Sequence, residues 1–377
     1  MPSDLVVFGE DWGRHPSSTQ HLISRLSDDW QVVWVNSIGL RRPRLSFRDL
    51  KRVTEKLGSI LSRPKRMNGT ATALVPANIH VHAPTAIPWP GSRLAACANR
   101  RLLARQVTSW MREDGVKRPI LWTSLPTAVV ALGEFEERAV VYYCGDDFSS
   151  LAGVDHKPVA AMERQLVKKA DLIVAASQHL ADRFPAEKTL YLPHGVDYDL
   201  FAKPADRPSD LPQTGPIAGF YGSIADWVDV AMLCEAAIQC PDWHFVLIGA
   251  VETDISLLEK HGNIHFLGRR PHDLLPGYVQ HFDAALLPFK DTEQIRNCNP
   301  LKLREYLAAG TPIITTRFPA MEPYAPLLTV LETGEPLAHA LNFALNDKQR
   351  NSVRREVVRP ESWSSRAAQL EAALKSL

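Results

Sequence analysis

Residues 291–316 read DTEQIRNCNPLKLREYLAAGTPIITT and combine a helix with a buried strand in one short stretch. Asn299 is a good N-cap, Pro300 suits the first helical position, and Gly310 followed by Pro312 ends the helix. These signals predict a helix of about ten residues that leads directly into an apolar strand. A helix followed at once by a buried strand is typical of a parallel α/β sheet.

The charged residues of this helix indicate what it binds. Lys302 lies in the predicted first turn, where the helix dipole disfavours a cation by about 0.3–1 kcal/mol. A lysine is favourable there if an anion such as a diphosphate occupies the helix end. Glu305 follows on the same face, within reach of a sugar hydroxyl beside the phosphates. The alternative is a capped surface helix with an ordinary Lys–Glu pair.

Outward from this stretch, short apolar runs alternate with helical or turn patterns along the whole chain. The N-terminal runs are DLVVFG (4–9), QVVWVN (31–36), NIHVHA (78–83), PILWTS (119–124), AVVYYC (139–144), DLIVAAS (171–177) and TLYLPHGVD (189–197). The C-terminal runs are IAGFYGS (217–223), HFVLIGA (244–250), NIHFLG (263–268), DAALLPF (283–289), TPIITT (311–316) and LLTV (327–330). Their near-continuous apolar content predicts parallel strands covered by helices on both faces.

A polar, proline-rich stretch separates the two series of strands and is the best linker candidate, FAKPADRPSDLPQTGP at 201–216. Two successive βα series predict an α/β protein with two Rossmann-like domains that face each other across a cleft. We expect an N-terminal domain at 1–198 and a C-terminal domain at 199–358. A last helix at 359–377 packs back on the N-terminal domain in this scheme.

Length and composition indicate a soluble globular class of protein. The chain has 377 residues, of which 45% are hydrophobic and 23% charged, and no apolar run approaches a membrane-spanning length. The first residues lack the pattern of a signal peptide. The five cysteines are odd in number and show no CxxC spacing, which argues against a disulfide framework or a zinc site. We expect a reducing, cytoplasmic location.

The net charge of +1 conceals a strongly basic segment. Residues 41–120 hold 17 Lys or Arg and four acids, which gives +13 and leaves −12 for the rest of the chain. Two amphipathic helices, near 46–61 and 94–112, carry many of these cations opposite apolar faces. We expect segment 41–120 to bind an anionic membrane surface, with Trp89 in the headgroup layer. The alternative is ordinary surface helices of a sheet-covered domain.

Strand ends in the C-terminal half supply further candidate ligand contacts. In IAGFYGSIADWVDV (217–230), Gly222 permits close backbone approach, and Ser223 offers an amide and a hydroxyl to a phosphate. The next two strands end near Gly249 and Arg269, and loops at the carboxyl ends of parallel strands bind ligands. Structural glycine turns and a solvated arginine explain the same residues without a ligand.

Candidate acceptor and catalytic residues lie in the N-terminal half. Asp146 and Asp147 follow the strand at 139–144, and a carboxylate in that position is a candidate general base, with Asp146 the better placed. The loop GEDWGRHPSSTQHL (9–22) holds the candidate acceptor contacts, which are Asp11, His15 and His21. Two adjacent acids also suit a turn, and either histidine also suits a structural role.

The order of these segments resembles that of GT-B glycosyltransferases. The matching segments are LPHGVD, IAGFYGSIADWVD, HFVLIG, NIHFLGRRPHDLLPGY, ALLPF and NPLKLREYLAAGTPIITT. They cover nearly the whole chain and match best from 217 to 316. The resemblance is greatest to bacterial exopolysaccharide enzymes of the family-4 type, such as the xanthan glucuronosyltransferase. It implies a cytoplasmic transferase of EC class 2.4, held peripherally at the inner face of the plasma membrane. It also implies that domain 1–198 faces the membrane and the acceptor and that domain 199–358 binds the nucleotide sugar.

The resemblance also assigns roles to individual residues. Lys302 matches the lysine that neutralises the donor diphosphate, and Pro300 and Leu301 belong to the same donor-binding turn. Glu305 matches the second glutamate of a pair and implies a contact with the donor ribose. Asn297 stands where the first glutamate of that pair is usual, a departure that leaves open whether the reaction retains or inverts the anomeric configuration.

The expected reaction is transfer of a sugar, from a UDP donor before a GDP donor, to a saccharide or lipid-linked acceptor. Asp146 matches the general base of the xanthan glucuronosyltransferase, which is an inverting enzyme. We expect no cofactor, no metal and no nucleic-acid partner, since no DxD metal-binding motif lies where a metal-dependent transferase would carry one. A nucleotide-dependent oxidoreductase is disfavoured because the first turn reads GEDWG rather than GxGxxG. A nucleotide-sugar epimerase and a non-catalytic binding subunit remain as alternatives.

Overall fold

The computed structural model describes residues 3–13, 17–38, 75–87, 89, 91–146 and 155–377. The chain divides into two compact units. Unit 1 comprises Met1–Pro193 with Arg366–Leu377, and unit 2 comprises His194–Ser365. Each unit contains one sheet in which every described strand pair is parallel.

The sheet of unit 1 forms from seven short, almost fully buried strands. They are β1 (Ser3–Phe8), β2 (Trp30–Val35), β3 (Ile79–His82), β4 (Ile120–Thr123), β5 (Ala139–Cys144), β6 (Leu172–Ala175) and β7 (Thr189–Tyr191), in the order β3-β2-β1-β4-β5-β6-β7. Strands such as VVYYC at 140–144 are apolar on both faces because helices cover both sides of the sheet. The strand order reverses between β1 and β4, which is where ligands bind in such sheets.

The described helices of unit 1 are α1 (Ser18–Ile23), α2 (Arg93–Glu113), α3 (His156–Lys169) and α4 (Gln178–Ala181). Ser17 and Ser92 cap α1 and α2, because each side chain accepts a hydrogen bond from the backbone N–H three residues on. The inner face of α2 packs Leu103 and Val107 into the core. The predicted helix at 46–61 lies outside the described residues.

Unit 2 repeats the same plan with a six-stranded sheet. Its strands are β8 (Ile217–Tyr221), β9 (His244–Ile248), β10 (Ile264–Phe266), β11 (Ala284–Leu287), β12 (Ile313–Thr316) and β13 (Thr329–Leu331), in the order β10-β9-β8-β11-β12-β13. Its helices are α5 (Tyr198–Ala202), α6 (Val230–Gln239), α7 (Leu275–Val279), α8 (Glu293–Asn297), α9 (Leu301–Ala309), α10 (Leu337–Leu345) and α11 (Asn351–Val358). The order again reverses between the first and fourth strands, here β8 and β11.

The last helix, α12 (Trp363–Lys375), begins in unit 2 and ends in unit 1. In unit 1, Glu371 accepts hydrogen bonds from the backbone N–H and hydroxyl of Ser27 and from the indole N–H of Trp30. Burial opposes the charge on Glu371, but these hydrogen bonds and that of Lys375 outweigh it and lower its pKa to about 2. The end of α12 is therefore part of unit 1.

Every strand predicted from the sequence is present, with ends that differ by a few residues. The proline-rich stretch 201–216, the linker candidate, lies within unit 2. The chain passes from unit 1 to unit 2 after Pro193. Among the described helices, none is both long enough and apolar enough to cross a bilayer.

Candidate functional site

Three glycines lie side by side just beyond the carboxyl ends of β8, β9 and β10. The backbone N–H of Gly222 donates to Ile248 at 2.8 Å, and that of Gly249 donates to Gly268 at 2.9 Å. Gly249 has φ +150°, and a Cβ there would lie 1.9 Å from the carbonyl oxygen of Gly222. Only glycine fits at Gly249, so backbone rather than side chains forms this edge of the sheet.

Helix α9 starts one residue later than the sequence indicates. Its first residue is Leu301, and Pro300 occupies the N-cap without a side-chain hydrogen bond to the helix. The carboxamide oxygen of Asn299 accepts instead from the Arg304 guanidinium at 2.6 Å. The prediction that Asn299 caps the helix is therefore wrong, because a buried cation takes its acceptor. Pro300 offers the first N–H groups of α9 no side-chain acceptor, so these groups are suited to binding an external anion.

Lys302 places its ammonium at this uncapped helix end. A Cβ on Gly222 would lie 2.8 Å from the Lys302 Nζ, so the ammonium lies close beside the glycine backbone. The Nζ also lies 5.2 Å from the ring centre of Phe220 and 5.7 Å from that of Phe289. Burial lowers the pKa of Lys302, and the opposing effect of Glu305 does not restore it. A desolvated cation at a helix N-terminus is suited to binding an anion.

Glu305 lies one turn further along α9 and is buried. One carboxylate oxygen accepts a hydrogen bond from the Tyr221 hydroxyl at 2.6 Å, and the other lies 2.8 Å from the His272 Nε2. The backbone N–H of Tyr221 in turn donates to the Tyr306 hydroxyl at 3.2 Å. These contacts hold the carboxylate in one orientation between β8, α9 and the segment that follows β10.

The remaining predicted donor contacts have different surroundings. Ser223 follows Gly222 and is partly buried, and Asn297 is buried at the end of α8. The side chain of Arg269 is 65% exposed, with its guanidinium 3.9 Å from the Glu252 carboxylate. A group in solvent gains little from such an ion pair, so Arg269 is available to a ligand at small cost.

In unit 1, the predicted base follows β5 directly. Asp146 is exposed, and its backbone carbonyl lies 3.5 Å from the Cys144 thiol. Asp147 lies outside the described residues. Of the predicted acceptor contacts, Asp11 accepts from the backbone N–H and hydroxyl of Ser37, which fixes the loop after β2.

The other predicted acceptor contacts are histidines. The His21 Nδ1 lies 3.1 Å from the guanidinium of Arg25, one turn away on the chain. His15 lies outside the described residues. Both described candidates, Asp11 and His21, therefore make contacts within unit 1 that suit a structural role as well as a binding one.

Sequence reasoning missed Glu10, which follows β1. Its carboxylate accepts hydrogen bonds from the Ser17 hydroxyl at 3.0 Å and the Ser124 hydroxyl at 3.3 Å. Burial raises the pKa of the Tyr143 hydroxyl, and the charges of Asp146 and Glu10 raise it further. Neighbouring strands β1, β4 and β5 therefore carry polar groups where their carboxyl ends meet. Only the position of Glu10 directly after a buried strand could have identified it.

Several known proteins are similar to this chain in sequence or in fold. The family described as Glycosyl transferases group 1 matches residues 215–347. Over 278 residues, 66% of this chain and 70% of the relative, the sequence is 27% identical to TuaH of Bacillus subtilis (strain 168), a glycosyltransferase named for teichuronic acid biosynthesis. The structure of Anabaena HepE in complex with UDP covers 99% of this chain and 100% of its own, with a TM-score of 0.68 and 15% identity. Sucrose-phosphate synthase from Thermosynechococcus elongatus covers 99% of this chain and 98% of its own, with a TM-score of 0.69 and 14% identity. The chain has the GT-B fold, and its sequence is similar to those of glycosyltransferases.

Unit 1 also exposes a mixed apolar and basic surface at and just before α2. On α2, Leu94 is 85% exposed, and Arg101 and Arg105 are also exposed. Trp89, which precedes the helix, is 53% exposed. Leu102, which follows Arg101 in the chain, is 37% exposed and belongs to this surface. We call these five residues the α2 surface.

Two residues that contact Glu305 were not predicted from the sequence. Tyr221 ends a buried strand and resembles any core residue there, while His272 is 33 positions from its partner along the chain. No local pattern marks either residue, because each contact depends on how β8, β10 and α9 pack.

Proposed function

We propose that this glycosyltransferase moves a sugar from a nucleoside-diphosphate donor, with UDP favoured over GDP, to a saccharide or lipid-linked acceptor in bacterial surface polysaccharide synthesis. The observation that carries the proposal is the desolvated Lys302 ammonium at the uncapped start of α9, beside Gly222. The likeness to TuaH and to HepE in complex with UDP supports the pathway class and the nucleotide.

The donor diphosphate binds at the start of α9 in this proposal. The backbone N–H groups of Leu301 and Lys302, the Lys302 ammonium and the Gly222–Ser223 turn meet the phosphate oxygens. As the bond from the anomeric carbon to the phosphate oxygen breaks, negative charge grows on the diphosphate, and these groups stabilise it without a metal. Glu305, Asn297, Gly249 and Arg269 complete the contacts to the ribose and the transferred sugar.

The acceptor reacts at the edge of unit 1 in this proposal. Its hydroxyl oxygen attacks the anomeric carbon, and its proton passes to the Asp146 carboxylate as the diphosphate leaves. An exposed aspartate after β5 is available to a bound acceptor, and its charge suits a general base. One displacement of this kind inverts the anomeric configuration. Asp11, His15 and His21 serve as acceptor contacts.

The enzyme works at the inner face of the plasma membrane, where a lipid-linked acceptor is held. The α2 surface offers Trp89 and Leu94 to the headgroup layer and Arg101 and Arg105 to anionic lipids. The strongly basic segment 41–120 adds to this attraction through its net charge of +13.

Thermal unfolding with UDP, GDP, ADP or dTDP tests the donor site. A nucleotide at a hundred times its dissociation constant stabilises the protein by about 2.7 kcal/mol, a clear rise in Tm. We expect one nucleotide, UDP first, to give this rise in the wild type and far less in Lys302→Ala.

The matched control is Lys290→Ala, because Lys290 is exposed in the same unit. It should respond to the nucleotide as the wild type does. Equal stabilisation of the Lys302→Ala variant would remove the observation on which the proposal stands. A wild type that responds to none of the four would contradict the donor class itself.

A further inference from the structure

His272 reaches the buried carboxylate of α9 from a different part of unit 2. It begins the short 3₁₀ turn His272–Leu274 after β10, and its Nε2 lies 2.8 Å from a Glu305 oxygen. Its side chain is 28% exposed, against 10% for that of Glu305. The Phe201 ring packs edge-on at 5.4 Å from the imidazole centre, which fixes the plane of the ring. The imidazole therefore lies between solvent and the carboxylate.

The charges around His272 favour its protonated form. Burial alone would lower the pKa of the imidazole. The hydrogen bond with Glu305 and the negative charges of Glu305, Asp197 and Asp273 outweigh burial, so the pKa is raised. His272 consequently donates to Glu305 over a wider range of pH than an isolated histidine would.

The two hydrogen bonds to Glu305 leave part of the carboxylate unused. An ionised carboxylate has about four lone-pair directions, and the Tyr221 hydroxyl and the His272 Nε2 take one on each oxygen. A carboxylate held at both oxygens cannot rotate, so its remaining lone pairs point in fixed directions. Lys302 is on the same helix face three residues earlier, and its ammonium marks the diphosphate side of this carboxylate.

We propose that His272 is a positioning residue that orients Glu305 to accept hydrogen bonds from the ribose hydroxyls of the donor nucleotide. The inference rests on the proposed function, since it requires a nucleoside diphosphate at α9. His272 does not touch the reacting atoms, and its effect is confined to how tightly the ribose is held.

A purely structural role for the same hydrogen bond predicts a different result. If His272 only ties the segment after β10 to α9, its loss weakens the binding of every nucleotide by the same factor. If it orients Glu305, its loss weakens only those nucleotides that carry ribose hydroxyls. The ratio of two dissociation constants therefore separates the two roles.

Isothermal titration with UDP and with 2′,3′-dideoxy-UDP measures this ratio. For the wild type we expect UDP to bind about tenfold or more tightly, as for a hydrogen bond to a charged group. In His272→Phe, which keeps an aromatic ring against Phe201, the two ligands should bind within about threefold of each other. His272→Gln places an amide N–H near the same point and should restore the preference for UDP.

Each remaining outcome overturns a definite statement. Full discrimination in His272→Phe would show that Glu305 needs no help from His272. Equal binding of the two ligands by the wild type would show that Glu305 does not bind the ribose hydroxyls. A wild type that binds no nucleoside diphosphate at all would instead defeat the proposed function, and the inference would fall with it.

Discussion

The two sheets have the same strand order up to the sixth strand, yet their carboxyl edges differ in chemistry. In unit 2 the edge is backbone, with Gly222 and Gly249 in contact and a single ammonium, that of Lys302, beside them. In unit 1 the edge is side chain, with Glu10 bound by two serine hydroxyls and Asp146 exposed nearby. The same topology therefore places closely packed backbone and an ammonium at the edge of one sheet, and two carboxylates at the edge of the other.

The difference between the two edges fits the chemistry of the two proposed ligands, a nucleotide sugar and an acceptor. A diphosphate is the same in every nucleotide sugar, so N–H groups and one lysine serve for all of them. Acceptor hydroxyls need a proton acceptor, and acceptors vary in shape, so side chains on loops suit them better. The comparison teaches that the donor edge tolerates little change, whereas the acceptor edge can vary.

The largest expected effect tests the backbone contact of unit 2. In Gly249→Ala the new Cβ would meet the Gly222 carbonyl oxygen at 1.9 Å, at a φ of +150° that side chains rarely adopt. We expect a loss of more than about 3 kcal/mol in the free energy of unfolding, together with loss of nucleotide binding. Urea unfolding and thermal shift with UDP measure both.

Gly262→Ala is the matched control for this substitution. Gly262 lies in the same unit and has no atom within 4 Å of an added Cβ. Its stability should stay within about 1 kcal/mol of the wild type. If Gly249→Ala were as stable as Gly262→Ala, the backbones of Gly222 and Gly249 would not be in tight contact.

The next largest effect distinguishes the two carboxylates at the edge of the unit 1 sheet, Asp146 and Glu10. Asp146→Asn removes the proposed base without changing its size, so sugar transfer should fall by at least about 10²-fold while donor affinity stays the same. Glu10→Gln keeps the contacts with Ser17 and Ser124 possible and should lower transfer by less than about tenfold. Single-turnover transfer rates and UDP titration give the two quantities. The reverse ranking would make Glu10 the base, and normal transfer by both variants would leave the unit 1 edge without a catalytic carboxylate.

The smallest expected effect concerns the α2 surface. We propose membrane binding for this surface of unit 1 and for no surface of unit 2. Replacing Arg101 or Arg105 with Gln should weaken binding to anionic vesicles by about 1 kcal/mol for each change. Arg317→Gln, an exposed change in unit 2, is the control and should bind as the wild type does. Co-sedimentation at two salt concentrations measures the loss. Equally strong binding to neutral vesicles in high salt would refute an electrostatic attachment through α2.

The sequence was sufficient for the parts of the molecule that depend on local pattern. All strands, the helix α9 and the glycine at its left-handed end, Gly310, follow from apolar runs and from turn residues close to them in the chain. Lys302 was predicted to bind an anion because a cation is unfavourable in the first turn of a helix. That argument needs only the few residues around it.

The contacts that the sequence did not reveal depend on the folded structure rather than on local pattern. The Asn299 side chain accepts from Arg304, which is buried and also donates to Glu361, 57 residues away. The approach of His272 to Glu305 depends on the packing of three elements. Capping and periodicity carry no information on such pairings, and only the folded sheet brings the partners together.

Helix α12 divides its residues between the two units. The chain of unit 2 is continuous from His194 to Ser365, whereas unit 1 takes Arg366–Leu377 from far along the sequence. In that segment, Glu371 accepts hydrogen bonds from Ser27 and Trp30. A chain cut after Ser365 would therefore keep all residues of unit 2, and the loss of stability would fall on unit 1, the unit whose other residues are far from the cut in sequence.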